Sequence, residues 1–249
     1  MSSKVDVDIK ALLEAGSHFG HKTSRWHPKM AQYIHSKRGG SHIIDLAKTV
    51  DSLEEALGAI SKATSHGKKV LFVGTKRQAK EILRKAAESV DMPYVVERWM
   101  GGMLTNQKTI GAQIKKLKDH EAKMASGEYV NRYNKLEVQR IQEDIDRGNM
   151  YYGGIKDMVT LPGIVFVSDM ITDITAIREA NKLGIPVVAI ADTNTDPTTV
   201  KYPIPANDDA IKSIELITGY IVKAIELGKA SSKAAPSATK ETEAKEGDN

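Results

Sequence analysis

Val70-Leu71-Phe72-Val73-Gly74-Thr75-Lys76-Arg77 sets an unbroken apolar run against a glycine and two cations. Directly behind it, Ala79, Ile82, Leu83, Ala86 and Val90 recur at helical spacing, which predicts a helix over residues 76–90. A strand that is apolar at every position has no face to offer water, so it belongs inside a parallel sheet covered on both sides. Working outward, the same unit returns. Residues 94–96 read as a short strand, and Ile164–Val167 as another buried run followed by a helix over 173–183. Val187–Ala191 is a further run, 201–204 a short strand, and 208–227 a long helix closed by Gly228. Upstream, Asp8 can cap a short helix carrying Ile9, Leu12 and Leu13 that ends at Gly16, and a helix over 49–65 turns Leu53, Ala56, Leu57 and Ile60 inward. Strands alternating with helices predict an α/β fold: a parallel sheet, right-handed crossovers and helices on both faces.

Three segments depart from this alternation. Residues 17–46 are rich in His, Gly, Lys and Arg, with extended runs at 32–35 and 42–46 and a hairpin turn expected at Lys37-Arg38-Gly39-Gly40. Residues 105–125 and 136–147 read as two charged helices around a polar turn near Gly127. Ile110, Ile114, Leu117 and Met124 mark a narrow seam on the first, and Val138, Ile141 and Ile145 on the second. Seams that thin fit an inserted antiparallel helical hairpin, a short coiled coil projecting from the domain, better than helices packed on the sheet. Residues 229–249 hold no aromatic or large aliphatic side chain and are expected to be disordered. The expected organisation is an α/β domain from 1–104 and 151–228, a hairpin at 105–150 and a tail from 229.

The 249 residues are 41% hydrophobic and 27% charged, enough for one large core. The opening MSSKVDVDIK has no apolar stretch of the secretory type, and no run approaches a membrane span, so no membrane association is expected. Cysteine is absent, which excludes disulfides and thiolate metal sites and fits a reducing cytoplasm. The net charge of +4 hides an asymmetry: residues 1–120 hold 21 Lys/Arg against 12 Asp/Glu, whereas residues 155–228 hold 6 against 10. A basic front half points to a polyanionic partner.

Four constellations could carry chemistry. The turn Gly74-Thr75-Lys76-Arg77 lies where α/β sheets bind phosphate. It lacks both GxGxxG and GxxxxGK[ST], so a nucleotide-binding enzyme is the alternative reading rather than the main one. The histidines His18, His21, His27, His35 and His42 crowd the front, and His18 with His21 could share a metal. Asp192 at a strand end and Asp208-Asp209 opening the last helix could add oxygen ligands, for an ion or a metal-dependent hydrolase using His21, Asp192 and Asp209. In the ordinary reading, Asn207 or Asp208 simply caps the helix. No GxSxG or HExxH is present, and no nucleophile is assembled, so no catalytic residue is assigned. Finally, Lys22-Thr23-Ser24-Arg25-Trp26-His27-Pro28-Lys29 and Arg98-Trp99-Met100-Gly101-Gly102 interleave cations, tryptophan and glycine. From Arg98 to Lys118 there are five basic residues and no acidic one. Such segments suit RNA, through phosphate contacts and stacking on unpaired bases. Either tryptophan could equally be core.

These stretches resemble the bacterial ribosomal protein S-two family, the second protein of the small ribosomal subunit. The resemblance is carried by Leu12-Leu13-Glu14-Ala15-Gly16-Ser17-His18-Phe19-Gly20-His21, by Trp26-His27-Pro28-Lys29-Met30 and by His42-Ile43-Ile44-Asp45-Leu46. It continues through Leu71–Arg77, through Arg98-Trp99-Met100-Gly101-Gly102-Met103-Leu104-Thr105-Asn106, which is the most specific, and through Gly153-Gly154-Ile155-Lys156-Asp157-Met158. Glu179-Ala180-Asn181-Lys182-Leu183-Gly184-Ile185-Pro186, Asp192-Thr193-Asn194 and Pro205-Ala206-Asn207-Asp208-Asp209-Ala210 complete it; the family usually has Gly at Ala206. The resemblance implies a flavodoxin-like domain with a protruding helical hairpin, no catalytic activity, and a place on the ribosome in the cytoplasm. The implied partners are small-subunit ribosomal RNA, neighbouring small-subunit proteins and the multidomain mRNA-binding protein S-one. It also implies that a divalent ion, zinc or magnesium, can sit near His21, Asp192, Asp208 and Asp209, though none is required. The expected RNA contacts are Lys22, Arg25, Trp26, Lys29, Lys37, Arg38, Lys76, Arg77, Arg98, Trp99, Lys108, Lys115, Lys116 and Lys118.

Overall fold

The computed structural model describes residues 5–234, so most of the tail expected to be disordered, 235–249, lies outside the described residues. In chain order the elements are α1 (Ile9–Glu14), β1 (Phe19–Lys22), β2 (Ile34–Arg38), β3 (Ser41–Ile44), α2 (Leu46–Ser65), β4 (Val70–Val73), α3 (Lys80–Ser89) and β5 (Tyr94–Val95). There follow α4 (Gln107–Ala125), α5 (Glu128–Arg132), α6 (Lys135–Tyr152), β6 (Ile164–Val167), α7 (Ile174–Lys182), β7 (Val187–Ala191), β8 (Tyr202–Pro205) and α8 (Ile211–Ala234).

The main sheet is parallel, in the order β5-β4-β6-β7-β8. Alternation along each strand sends side chains to two separate cores. Phe72, Phe166, Val188, Ile190 and Ile204 face Leu53, Ile60, Leu83, Ile217 and Ile221 of α2, α3 and α8. Phe72 and Phe166 meet edge to face at 5.7 Å. Leu71, Val73, Val165, Val167 and Ala189 face Ile177 and Ala180 of α7, together with Trp99, Leu104, Ile110 and Ile155. Burying each large side chain contributes roughly 1.5–3 kcal/mol, so this two-sided burial is what holds the layers together. The α/β sheet with helices on both faces is the expected flavodoxin-like one. Ala206 is fully buried in the first core, so the methyl that departs from the family pattern is accommodated by packing.

Several boundaries differ, for identifiable reasons. The second helix of the sheet starts at Lys80 rather than 76, because residues 74–79 form a turn whose amide at Thr75 bonds to Asp173. The last helix starts at Ile211, after a turn in which Asn207 Oδ1 accepts from the Asp209 and Ala210 amides at 2.8 and 3.1 Å. It does not stop at Gly228 but runs to Ala234, so the first residues assigned to the tail are helical. A β-carbon at Gly228 would overlap Thr64 Oγ1 and the Ser61 carbonyl, so this glycine permits close crossing of α2 and α8 rather than ending the helix.

The basic front is a small antiparallel sheet, in the order β1-β3-β2. The periodicity of 17–46 did not reveal β1. The turn is Gly39-Gly40 alone, both at positive φ (59° and 80°), the two-residue geometry a hairpin favours. Lys37 and Arg38 therefore stand on the strand. In the inserted hairpin, α4 and α6 are joined through α5, where buried Tyr129 meets His120 and Tyr133. Ile110 joins the second core, whereas Leu117, Tyr129 and Ile145 belong to neither core cluster. The distal hairpin thus packs on itself and leaves Val130 and Leu136 exposed.

Candidate nucleic-acid interface and strand-end charge cluster

The front sheet is seated on the main one by the Asp192-Thr193 step after β7. The His21 amide donates to Thr193 Oγ1 at 2.9 Å and to Asp192 Oδ1 at 3.2 Å, and the His27 amide to the Thr193 carbonyl at 2.7 Å. Any β-carbon at Gly20 would collide with Thr193, so the glycine allows this approach. On the sheet so anchored, Lys22, Arg25, Lys37 and Arg38 are exposed. Trp26 is 37% exposed and rests on the buried His42 ring at 5.2 Å, with Lys37 Nζ 6.0 Å from its centroid. Burial, together with Lys37, pushes the His42 ring below the usual histidine range, so it underlies Trp26 as a neutral ring. Lys29 behaves differently: its ammonium bonds to Asp196 at 2.7 Å and Thr198 at 2.8 Å. That pairing first, then the Thr198 donors, lowers Asp196 to about 2.

The second basic segment is a turn from Arg98 to Asn106 that leads into α4. Arg98, Lys108, Lys115 and Lys116 are exposed, while Lys118 pairs with Asp157 at 2.9 Å. Trp99 is only 9% exposed and its indole N–H donates to Glu179 at 3.0 Å, so it braces the turn and offers no stacking face. Glu179 also accepts from the amides of Gly102, Leu104 and Thr105 and from the Thr105 hydroxyl.

Beyond the carboxyl ends of β6, β7 and β8 lies a cluster of acids, and Lys76, which follows β4, reaches into it. Lys76 Nζ is 2.7 Å from Asp209, 2.8 Å from Asp208 and 3.2 Å from Asp169. Burial would lower this lysine, but Asp208 and Asp209 outweigh it and hold it above its ordinary range. Lys76 is therefore an internal counter-charge, contrary to its expected role as an RNA contact; Arg77 beside it is exposed. Burial, then the neighbouring Asp169 and Asp192, raises Asp208 to about 7. His21 lies on the outer side of the cluster, its Nδ1 3.0 Å from Asp192 and its Nε2 3.5 Å from Asp209. The bond to Asp192 raises the imidazole, against the opposing effect of burial. Ligand atoms of His21, Asp208 and Asp209 come within 4.8 Å of one another. Asp192 holds the histidine from behind and is not one of these three, and His18 is not among them either. An imidazole fixed through one nitrogen beside two carboxylates suits a divalent ion. Lys76 already supplies part of the positive charge it would bring.

The turn expected to bind phosphate is already engaged. The Thr75 amide and hydroxyl donate to Asp173 at 3.1 and 2.8 Å, and a β-carbon at Gly74 would collide with Leu83 and Ser168.

Comparison with known proteins bears on what these features serve. The model of a family described as ribosomal protein S2 matches residues 12–228. The chain belongs to the ribosomal protein S2 family. Among its relatives, the small ribosomal subunit protein uS2 of Coprothermobacter proteolyticus is 52% identical over 219 residues, 88% of this chain and 81% of the relative. That of a Picosynechococcus species is 48% identical over 223 residues, 90% of this chain and 87% of the relative. That of Bifidobacterium longum is 46% identical over 222 residues, 89% and 79%.

In this member of the S2 family the structure adds residues that sequence reasoning passed over. Glu179, Asp169, Asp173 and Thr193 sit in no chemical motif. Glu179 and Thr193 stood out only as members of stretches that carry the family resemblance, and Asp169 and Asp173 only as acids beside an apolar segment that buries them. Asp173, Glu179 and Thr193 hydrogen-bond, and Asp169 pairs with Lys76, across long sequence separations, which no local pattern records.

Proposed function

We propose that this chain is a structural constituent of the small ribosomal subunit, bound to the ribosome in the cytoplasm, and that it binds small-subunit ribosomal RNA and neighbouring ribosomal proteins. The observation that carries the RNA reading is a division among its cations. Among the described residues, no carboxylate lies within ion-pair distance of Lys22, Arg25, Lys37, Arg38, Arg77, Arg98, Lys108, Lys115 or Lys116, whereas Lys29, Lys76 and Lys118 are neutralised internally. Unpaired cations on the front sheet and at the root of the hairpin are free to displace counterions from phosphate. Trp26, which rests on His42 and is still exposed, keeps a surface for an unpaired base. Val130 and Leu136 at the hairpin end suit a protein neighbour, and the multidomain mRNA-binding protein S-one is one such partner.

The reading assigns no catalysis. A nucleotide at residues 74–77 would face Asp169, Asp173, Asp208 and Asp209, with the Thr75 amide already used. A divalent ion, zinc or magnesium, would be held by His21, Asp208 and Asp209, with Asp192 orienting the histidine; it would supply positive charge among these acids in place of protons.

The test is sedimentation of the native protein from cells at low salt. It should travel with small-subunit particles and leave them as salt rises. Recovery free of particles at low salt would contradict the proposal. The enzyme alternative predicts that mono- or dinucleotides at about 100 times a dissociation constant add roughly 2.7 kcal/mol of stability, where this reading predicts no shift.

A further inference from the structure

We infer that Glu179 is the positioning residue of the candidate RNA interface, fixing the 98–106 turn and through it the direction in which α4 leaves the sheet. The inference rests on the RNA reading only for its consequence; the positioning itself stands on geometry. One carboxylate on α7 receives five donors from four residues: Trp99 Nε1 at 3.0 Å, the Gly102, Leu104 and Thr105 amides at 2.7, 3.0 and 3.1 Å, and the Thr105 hydroxyl at 3.1 Å. Every partner donates and none needs to accept, so the group serves as an anion. Burial would push this carboxyl up, but the donors from Trp99 and the turn amides outweigh it and hold it below the usual range.

The turn has no repeating ladder of its own over these amides. Gly102, at φ 91°, adopts a backbone that turns its N–H toward the carboxylate. Met103 and Leu104 plug the second core, and Asn106 then caps α4 through the Thr109 amide. Arg98 enters the turn and Lys108 leaves it, so both cations are placed by what holds the turn. Pre-ordering them removes an ordering cost from binding.

A glutamine at 179 keeps the shape but offers one oxygen and an N–H₂ that faces donors. The chain has no cysteine, so two introduced thiols can be labelled cleanly. Nitroxides on N131C and K62C, in the full chain, report the distance from hairpin to α2 by pulsed electron spin resonance. The parent chain should give one narrow distance and E179Q a broad or shifted one, with affinity for small-subunit RNA weakened roughly tenfold. If E179Q does not fold, T105V removes one donor at an exposed position and should broaden the distance in part, while T105S, which keeps the hydroxyl, should restore it. An unchanged narrow distance in folded E179Q, or in T105V, overturns the positioning role. A changed distance with unchanged RNA affinity overturns the link to the interface. If the parent chain binds no RNA, the proposed function fails while the distances still decide the positioning.

Discussion

Asp173 is a carboxyl raised to about 6, chiefly by burial, with Asp169 adding to the effect and the two Thr75 donors opposing it. Its ordinary value is 3.8. Between about pH 4 and 6 the folded chain therefore holds a proton that the unfolded chain has released, and raising the pH through that window costs stability. D173N removes the titration while keeping an acceptor for the Thr75 amide. Urea unfolding at several pH values should show the parent chain losing roughly 2–3 kcal/mol relative to D173N as pH rises from about 4 to 7. A difference that stays flat across that range contradicts the buried, protonated carboxyl. The same residue explains why the strand–helix turn, legible in sequence as a phosphate site, does not read as one in three dimensions. Sequence exposed the cations but not their partners. Lys29 meets Asp196 and Lys76 meets Asp208 across 167 and 132 positions, and only the fold brings such groups together.

At the scale of elements, the buried strands and the helices behind them were readable because strands apolar at every residue and helices with one apolar face leave distinct periods. What escaped had weak or borrowed signals. β1 is four residues, half-exposed, pairs with β3 in a broken register and is also held by the bond from the His21 amide to Thr193. α5 is five residues within a polar turn. Gly228 looked like a helix end because glycine commonly closes helices; here it is the contact point of α2 and α8. G228A should therefore destabilise the chain by roughly 1–3 kcal/mol, as overpacking does in a tight core, although alanine is the better helix former. Chemical denaturation decides it: a stabilised G228A would show that the glycine serves no close crossing.

For the whole molecule, the sheet supplies shape and the additions supply charge. The acids gather at the strand ends around Lys76 and His21, whereas the front sheet and the hairpin root expose Lys22, Arg25, Lys37, Arg38, Arg98 and Lys108. This separation is why net charge alone was a poor guide. The most direct measurement is the salt dependence of binding to small-subunit ribosomal RNA by three full-length proteins: the parent, a K22Q/R25Q/K37Q/R38Q variant and a K29Q/K118Q variant. The account predicts that the first variant loses affinity, with a log–log salt slope shallower by about 0.9 or somewhat less per lost phosphate contact, and that the second stays close to the parent. Equal slopes for all three, or the larger loss in K29Q/K118Q, would contradict it.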